Sequence, residues 1–271
     1  METLYNSNVP GAQNLLPQTR SIPVPLELTM VLIVALTTIC SLWVNAYPKS
    51  ADVPFKLQDT YVVITRYEVQ QNAKEQVGKA LSTYVQLALA DGNNIMAEVY
   101  QEEEQPFVLW VLERWKSKGN YSAFSQSAGV KETITLSGTA LFSPVKTYYL
   151  KDLAPLSKDE WRKAPAIEDR PIVIMLFVDS KPGTERTFTK AYDKAMPQFR
   201  SEPGVITYGL AQSLDDQTQF VTYEKFRSED AFKYHLGFPP IQPVLDYLNT
   251  SIKKQPFQAG LHRLVPLSTP L

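Results

Sequence analysis

Two kinds of apolar rhythm alternate along this chain. From Pro171 to Val178 (PIVIMLFV) apolar residues run without interruption, as in a strand buried on both faces. After the turn residues Lys181-Pro182-Gly183 the period changes. Phe188, Ala191, Tyr192, Ala195 and Phe199 recur at spacings of three and four, which predicts an inward helical stripe from about Thr184. Pro197 is expected to kink its last turn. Glu202-Pro203-Gly204 breaks the chain before a strand from Val205 to Gln212, and Asp215-Asp216 marks the turn into a strand from Gln219 to Phe226. Ser228 then caps a short helix with Glu229 and Asp230 in its first turn, where the helix dipole favours them. A third helix is expected from about Ile241 to Ile252, after Pro239-Pro240, and a strand from Gln258 to Val265 closes the sheet.

The first part of the chain repeats this order from Tyr61 to Leu153. Val108 to Trp115 (VLWVLERW) and Gln219 to Phe226 (QFVTYEKF) have the same form, with Glu113 and Glu224 standing 111 residues apart. That offset also joins Ser117 to Ser228, Val77 to Phe188, Ala80 to Ala191 and Leu81 to Tyr192. It is expected to continue without a gap to Ala154-Pro155-Leu156 and Val265-Pro266-Leu267. The chain therefore reads as two copies of one domain, at 58–156 and 169–267, joined by a charged linker at 157–168. The fold class is α+β: each copy follows the split βαβ, ferredoxin-like order. Helices cover only one face of such a sheet, so the other face must be buried on a second sheet. A fused pair supplies it within one chain, giving an intramolecular dimeric α/β-barrel.

Leu28 to Val44 is a 17-residue run without a charge, ending in Val44-Asn45-Ala46 and followed by Pro48. It is expected to be a signal peptide (1–46) that exports the protein to a periplasmic or secreted location. The alternative is a retained single-pass anchor, the one case in which a membrane becomes a partner. Cleavage would also remove Cys40, the only cysteine.

Composition then removes whole classes of function. Lys+Arg 27 against Asp+Glu 28 gives a net charge of −1, no footprint for nucleic acid. Two histidines and one cysteine leave little material for a metal site, and the glycine-rich dinucleotide and phosphate-loop motifs are missing. What remains is a cofactor-free enzyme, an organic-ligand binder or a structural module.

In the second copy, Lys-Pro-Gly-Thr-Glu (181–185), Glu-Pro-Gly-Val-Ile-Thr-Tyr (202–208), Tyr-Glu-Lys-Phe-Arg-Ser-Glu-Asp-Ala-Phe (223–232) and Tyr-His-Leu (234–236) together resemble the antibiotic biosynthesis monooxygenase family, which includes quinol monooxygenases. The first copy resembles it less. It keeps Glu113-Arg114-Trp115, but has Asp91-Gly92-Asn93 in place of Glu-Pro-Gly and Phe124 where the offset puts His235. A phenyl ring carries no proton, so this copy is expected to be degenerate. The resemblance implies oxygenation of a phenolic, quinol or polycyclic aromatic substrate by O₂ without flavin, haem or metal. A base removes a proton, and the electron-rich anion itself reduces O₂.

His235 is the candidate proton-transfer residue, because imidazole titrates nearest working pH. Tyr192, Tyr208, Tyr223, Phe226 and Phe232 are candidates to line an aromatic pocket. Glu224, Glu113 and Trp115 are assigned orienting or structural parts, with an ion pair or backbone hydrogen bond expected to fix each glutamate at its strand end. His262 is expected to be a surface or inter-sheet residue, and Glu102-Glu103-Glu104 a solvated hairpin tip. Two other functions stay open. One is a non-catalytic module that binds a small apolar ligand or partner. The other, haem degradation, is weakened because Ile172 to Val178 has no asparagine, which haem-degrading relatives show there. The expected partners are thus a small aromatic or apolar ligand and O₂, with the domains paired within the chain and further oligomerisation open.

Overall fold

Eight strands, four in each copy, were expected from the repeat; the architecture adds the pairing that binds them. The computed structural model describes residues 60–138, 140–164 and 166–267. The apolar run at 28–44 and its cleavage site lie outside the described residues. Among those described, no helix is long and apolar enough to cross a membrane.

Copy one comprises β1 (Tyr61–Glu68), α1 (Lys74–Ala90), β2 (Asn94–Glu102), β3 (Val108–Trp115), α2 (Lys118–Ser125), α3 (Ala128–Gly138) and β4 (Lys146–Asp152). A linker helix α4 (Lys158–Trp161) follows, started by a capping box between Ser157 and Glu160. Copy two comprises β5 (Ile172–Asp179), α5 (Glu185–Ser201), β6 (Val205–Ser213), β7 (Gln219–Phe226), α6 (Glu229–Leu236), α7 (Gln242–Thr250) and β8 (Leu261–Pro266). The eight strands close into an antiparallel barrel, β1-β3-β2-β8-β5-β7-β6-β4. The two copies meet edge to edge at two places, β2 on β8 and β4 on β6, with three residue pairs at each.

Local rules explain the elements. Ser117 and Ser228 cap α2 and α6 through hydrogen bonds from the Asn120 and Ala231 amides, both 3.2 Å. The stripe of α5 buries Phe188, Tyr192, Ala195 and Phe199, with Ala191 half-buried beside them, and the helix runs on past Pro197 to Ser201. One core lies between the helices and sheet of copy one, a second occupies the same position in copy two, and a third fills the barrel. An eight-stranded barrel is just wide enough for side chains to fill it. Val62, Leu112, Leu150, Met175 and Leu264 do so here.

The gapless repeat expected from the sequence ends before the last strand. The first three strands of the copies start 111 residues apart, but Val62 pairs with Leu150 and its counterpart Val173 pairs with Leu264. Leu150 and Leu264 are 114 apart, as are the starts of α3 and α7. Copy two therefore has three extra residues between α6 and α7, where Pro239–Ile241 forms a 3-10 turn. Hydrogen-bond register makes Tyr148, not Lys151, the counterpart of His262. The likeness of Ala154-Pro155-Leu156 to Val265-Pro266-Leu267 does not mark equivalent positions.

One barrel end is plugged by the linker. Trp161 is buried, and the Arg114 guanidinium carbon lies 3.8 Å from its ring centre while Arg114 Nε donates to Asp152 at 3.1 Å. Gly209 on β6 makes room: a Cβ there would lie 2.7 Å from Trp161 and 3.1 Å from Arg114. Gly209→Ala is expected to cost about 1–3 kcal/mol by overpacking, and Trp161→Ala about 3–5 kcal/mol by leaving a cavity. Removing the ring relieves the clash, so the double variant should lose clearly less than the sum in urea unfolding followed by circular dichroism.

Candidate functional site

The Glu-Pro-Gly turn after α5 sits directly against α6. A Cβ on Gly204 would approach the Ala231 Cβ to 2.4 Å, so glycine is what permits this closeness. The contact brings Glu202 beneath His235. Glu202 Oε1 and His235 Nδ1 are 2.7 Å apart, and both side chains are 1% exposed. Three rings enclose the imidazole: Phe199 at 4.8 Å, Phe226 at 5.2 Å and Tyr208 at 5.4 Å between centroids. His235 Nε2 and Glu202 Oε2 have no hydrogen-bond partner among the described residues.

Burial disfavours charge on both partners. It pushes His235 down to about 4 and Glu202 up to about 7, with the neighbouring Glu224 carboxylate adding to the second effect. The pair therefore titrates as a unit that keeps a single proton between about pH 4 and 7. Above that range Glu202 is a carboxylate accepting the Nδ1 proton, and Nε2 carries a free lone pair.

The other predicted residues divide between two faces of the sheet. Tyr208 donates to Glu224 Oε1 at 2.7 Å, and Thr222 Oγ1 donates to the same atom at 2.8 Å. Tyr192 packs on Tyr208 with ring centres 6.4 Å apart, and Phe232 packs on Phe226 at 5.3 Å. Tyr192, Tyr208, Phe226, Phe232, Glu224 and His235 thus gather on the helix side of copy two. Tyr223 does not join them, because adjacent strand residues point to opposite faces. Its hydroxyl lies inside the barrel, donating to Glu98 and 3.0 Å from the Tyr100 hydroxyl, while Lys225 Nζ meets the other oxygen of Glu98 at 2.6 Å.

In copy one, Tyr84 donates to both oxygens of Glu113 at 3.1 and 3.0 Å, and Trp115 Nε1 donates to Oε1 at 3.1 Å. Phe124 rests against Trp115 with ring centres 4.7 Å apart. Hydroxyl and indole donors thus hold Glu113 and Glu224, in place of the ion pair or backbone bond expected. Burial pushes both carboxyls up to about 7.

A second histidine–carboxylate pair went unseen in the sequence. His262 Nδ1 lies 2.8 Å from Glu102 Oε1, and Trp110 Nε1 donates to Glu102 Oε2 at 3.0 Å. Glu102 is therefore no part of a solvated tip: at 6% exposure it points into the barrel from the end of β2. Burial works to raise its pKa, but the hydrogen bonds from His262 and Trp110 outweigh this and hold it below the ordinary carboxylate value. Glu103 is drawn to Arg263 at 2.7 Å.

Fold and site define a tandem α+β barrel with a sealed histidine–glutamate pair in its second copy. The family model for antibiotic biosynthesis monooxygenase matches the chain twice, at residues 60–136 and 171–243, and the chain belongs to that family. It is similar in structure to a candidate monooxygenase from Lactobacillus acidophilus NCFM: 14% identity and a TM-score of 0.64, covering 76% of this chain and 93% of the other. A candidate monooxygenase from Fusobacterium nucleatum subsp. nucleatum ATCC 25586 gives 12% and 0.62, covering 77% and 91%. An anthrone oxidase-like protein gives 11% and 0.52, covering 76% and 92%. At these identities the likeness is one of fold. No curated protein matches the chain.

The buried carboxyls make a stability prediction. Glu113 and Glu224 bind their protons more tightly in the fold than in the unfolded chain. Their stabilisation is therefore present in acid and lost as pH rises from 4.5 to about 7, on the order of 3 kcal/mol for each group. Glu224→Gln and Glu113→Gln should each flatten that fall in urea midpoints measured from pH 4.5 to 8.

Proposed function

We propose that this protein is a cofactor-independent monooxygenase of phenolic, quinol or anthrone-type substrates, with the second copy as the working one. One observation carries this reading: the 2.7 Å contact that fixes His235 through Nδ1 and leaves Nε2 without a partner in a dry aromatic shell. An oriented imidazole with a free nitrogen is the arrangement a general base needs. Nε2 takes a proton from the acidic C–H or O–H of the substrate, and Glu202 stabilises the imidazolium that results. The substrate anion then gives electrons to O₂. For an anthrone, the ring CH₂ becomes C=O, one oxygen atom stays in the product, and the other leaves as water with the two hydrogens. Phe124 at the matching place in copy one supplies no base. Export of the chain is proposed on the apolar run at 28–44.

A second reading is a non-catalytic module that binds a small apolar ligand. The packing around His235 favours it, since at 1% exposure a substrate reaches the ring only by displacing a neighbour.

Oxidation of reduced quinols and anthrones under O₂, followed as quinone formation, separates the two. His235→Phe, which installs the residue of copy one, should lower the rate at least about 100-fold, the usual worth of a general base. Equal rates in both proteins would exclude the catalytic reading. The base form exists once the pair has lost its shared proton, so kcat/KM should rise through about pH 7. In Glu202→Gln, where no carboxyl shares that proton, the rise should move to lower pH and reach a lower plateau.

A further inference from the structure

The barrel end opposite Trp161 is open. A cavity of about 520 Å³ lies there, within the range typical of small-molecule sites. Its walls combine two features. Trp110, Tyr148 and Phe177 form an aromatic side, with Phe177 ring centres 5.9 Å from Trp110 and 4.9 Å from Tyr148. Arg66, Lys146 and Lys254 supply positive charge against a single lining carboxylate, Asp179, which Lys253 already engages at 2.8 Å. Arg66 is bonded to Glu68, whereas among the described residues no ion pair engages Lys146 or Lys254. His262 lies between the aromatic wall and the mouth, its ring centre 5.2 Å from Trp110 and 5.5 Å from Phe177. Glu102 holds its Nδ1, and among the described residues no hydrogen bond engages its Nε2.

We infer that this barrel mouth is a binding site for a planar aromatic carboxylate, separate from the His235 site on the helix side of β7. The ring system stacks on Phe177 and Tyr148, with the buried Trp110 behind Phe177, and the carboxylate faces the two lysines at the rim. His262 Nε2 offers one directed hydrogen bond, its ring held in place by Glu102 and Trp110. The site spans both copies: Arg66, Trp110 and Lys146 come from the first, Phe177, Lys254 and His262 from the second. Neither copy alone could make it. The inference stands whether or not His235 is catalytic.

Titration of the full chain with 2-naphthoate and with its neutral analogue 2-naphthamide, by calorimetry and tryptophan fluorescence, tests this. Naphthoate should bind at least tenfold more tightly than the amide and quench emission from Trp110. A double variant, Lys146→Met with Lys254→Met, changes only exposed side chains. It should weaken naphthoate at least tenfold while leaving the amide unchanged, and retained amide binding also reports an intact fold. His235→Phe should bind naphthoate as the parent does. Equal affinity for acid and amide, naphthoate binding that survives loss of both lysines, or no binding at millimolar ligand would each overturn the assignment.

Discussion

Unsatisfied strand edges govern this molecule. A four-stranded sheet ordered β4-β1-β3-β2 leaves the hydrogen-bonding groups of β4 and β2 exposed along its two sides, and the second copy has the same deficit at β8 and β6. Pairing β2 with β8 and β4 with β6 removes all four edges at once. Each junction is short, yet closure defines the barrel interior, so the inward residues of both copies pack on one another as one core. The copies are therefore mutually dependent, and sites at the barrel ends belong to both.

Two histidine–glutamate pairs show how surroundings set the chemistry of the same two groups. His235 and Glu202 are sealed among rings, where desolvation opposes charge on either partner and leaves one proton shared. His262 and Glu102 stand at the barrel mouth, where an indole donor adds to the imidazole and keeps Glu102 a carboxylate. Low dielectric suits a base that must transfer a proton without competing water. The wetter mouth suits recognition of a charged ligand.

Much of the fold was legible because the repeat was. Periodicity located β5, α5, β6, β7 and α6, and the offset of 111 carried their pattern to copy one. The Ser228 cap stands where the sequence placed it, and Ser117, its partner at the repeat offset, caps α2 in the same way. What escaped notice depended on long-range contacts. Glu102 finds its partner 160 residues away, so three consecutive glutamates resembled a charged tip. Strand β7 is buried on both faces, so no polar alternation revealed that Tyr223 and Glu224 diverge. Glu202 read as a turn residue, though the acidic Asp91 at the same offset hinted at more. The shift to 114 in the closing strand was masked by a short chance likeness of sequence.

The linker tryptophan has a consequence for how the halves came to differ. Glu98 and Gly209 hold matching positions, 111 residues apart: one carries an acid hydrogen-bonded to Tyr223 and Lys225, the other is bare so that an indole can enter. In an assembly of two identical polypeptides any change at such a position occurs twice, and a single wedge has nowhere to break the tie. Fusion gives the molecule one connecting peptide, hence one wedge, and from then on the two sides experience unlike neighbours. Divergence between the copies is thus built into the covalent join itself.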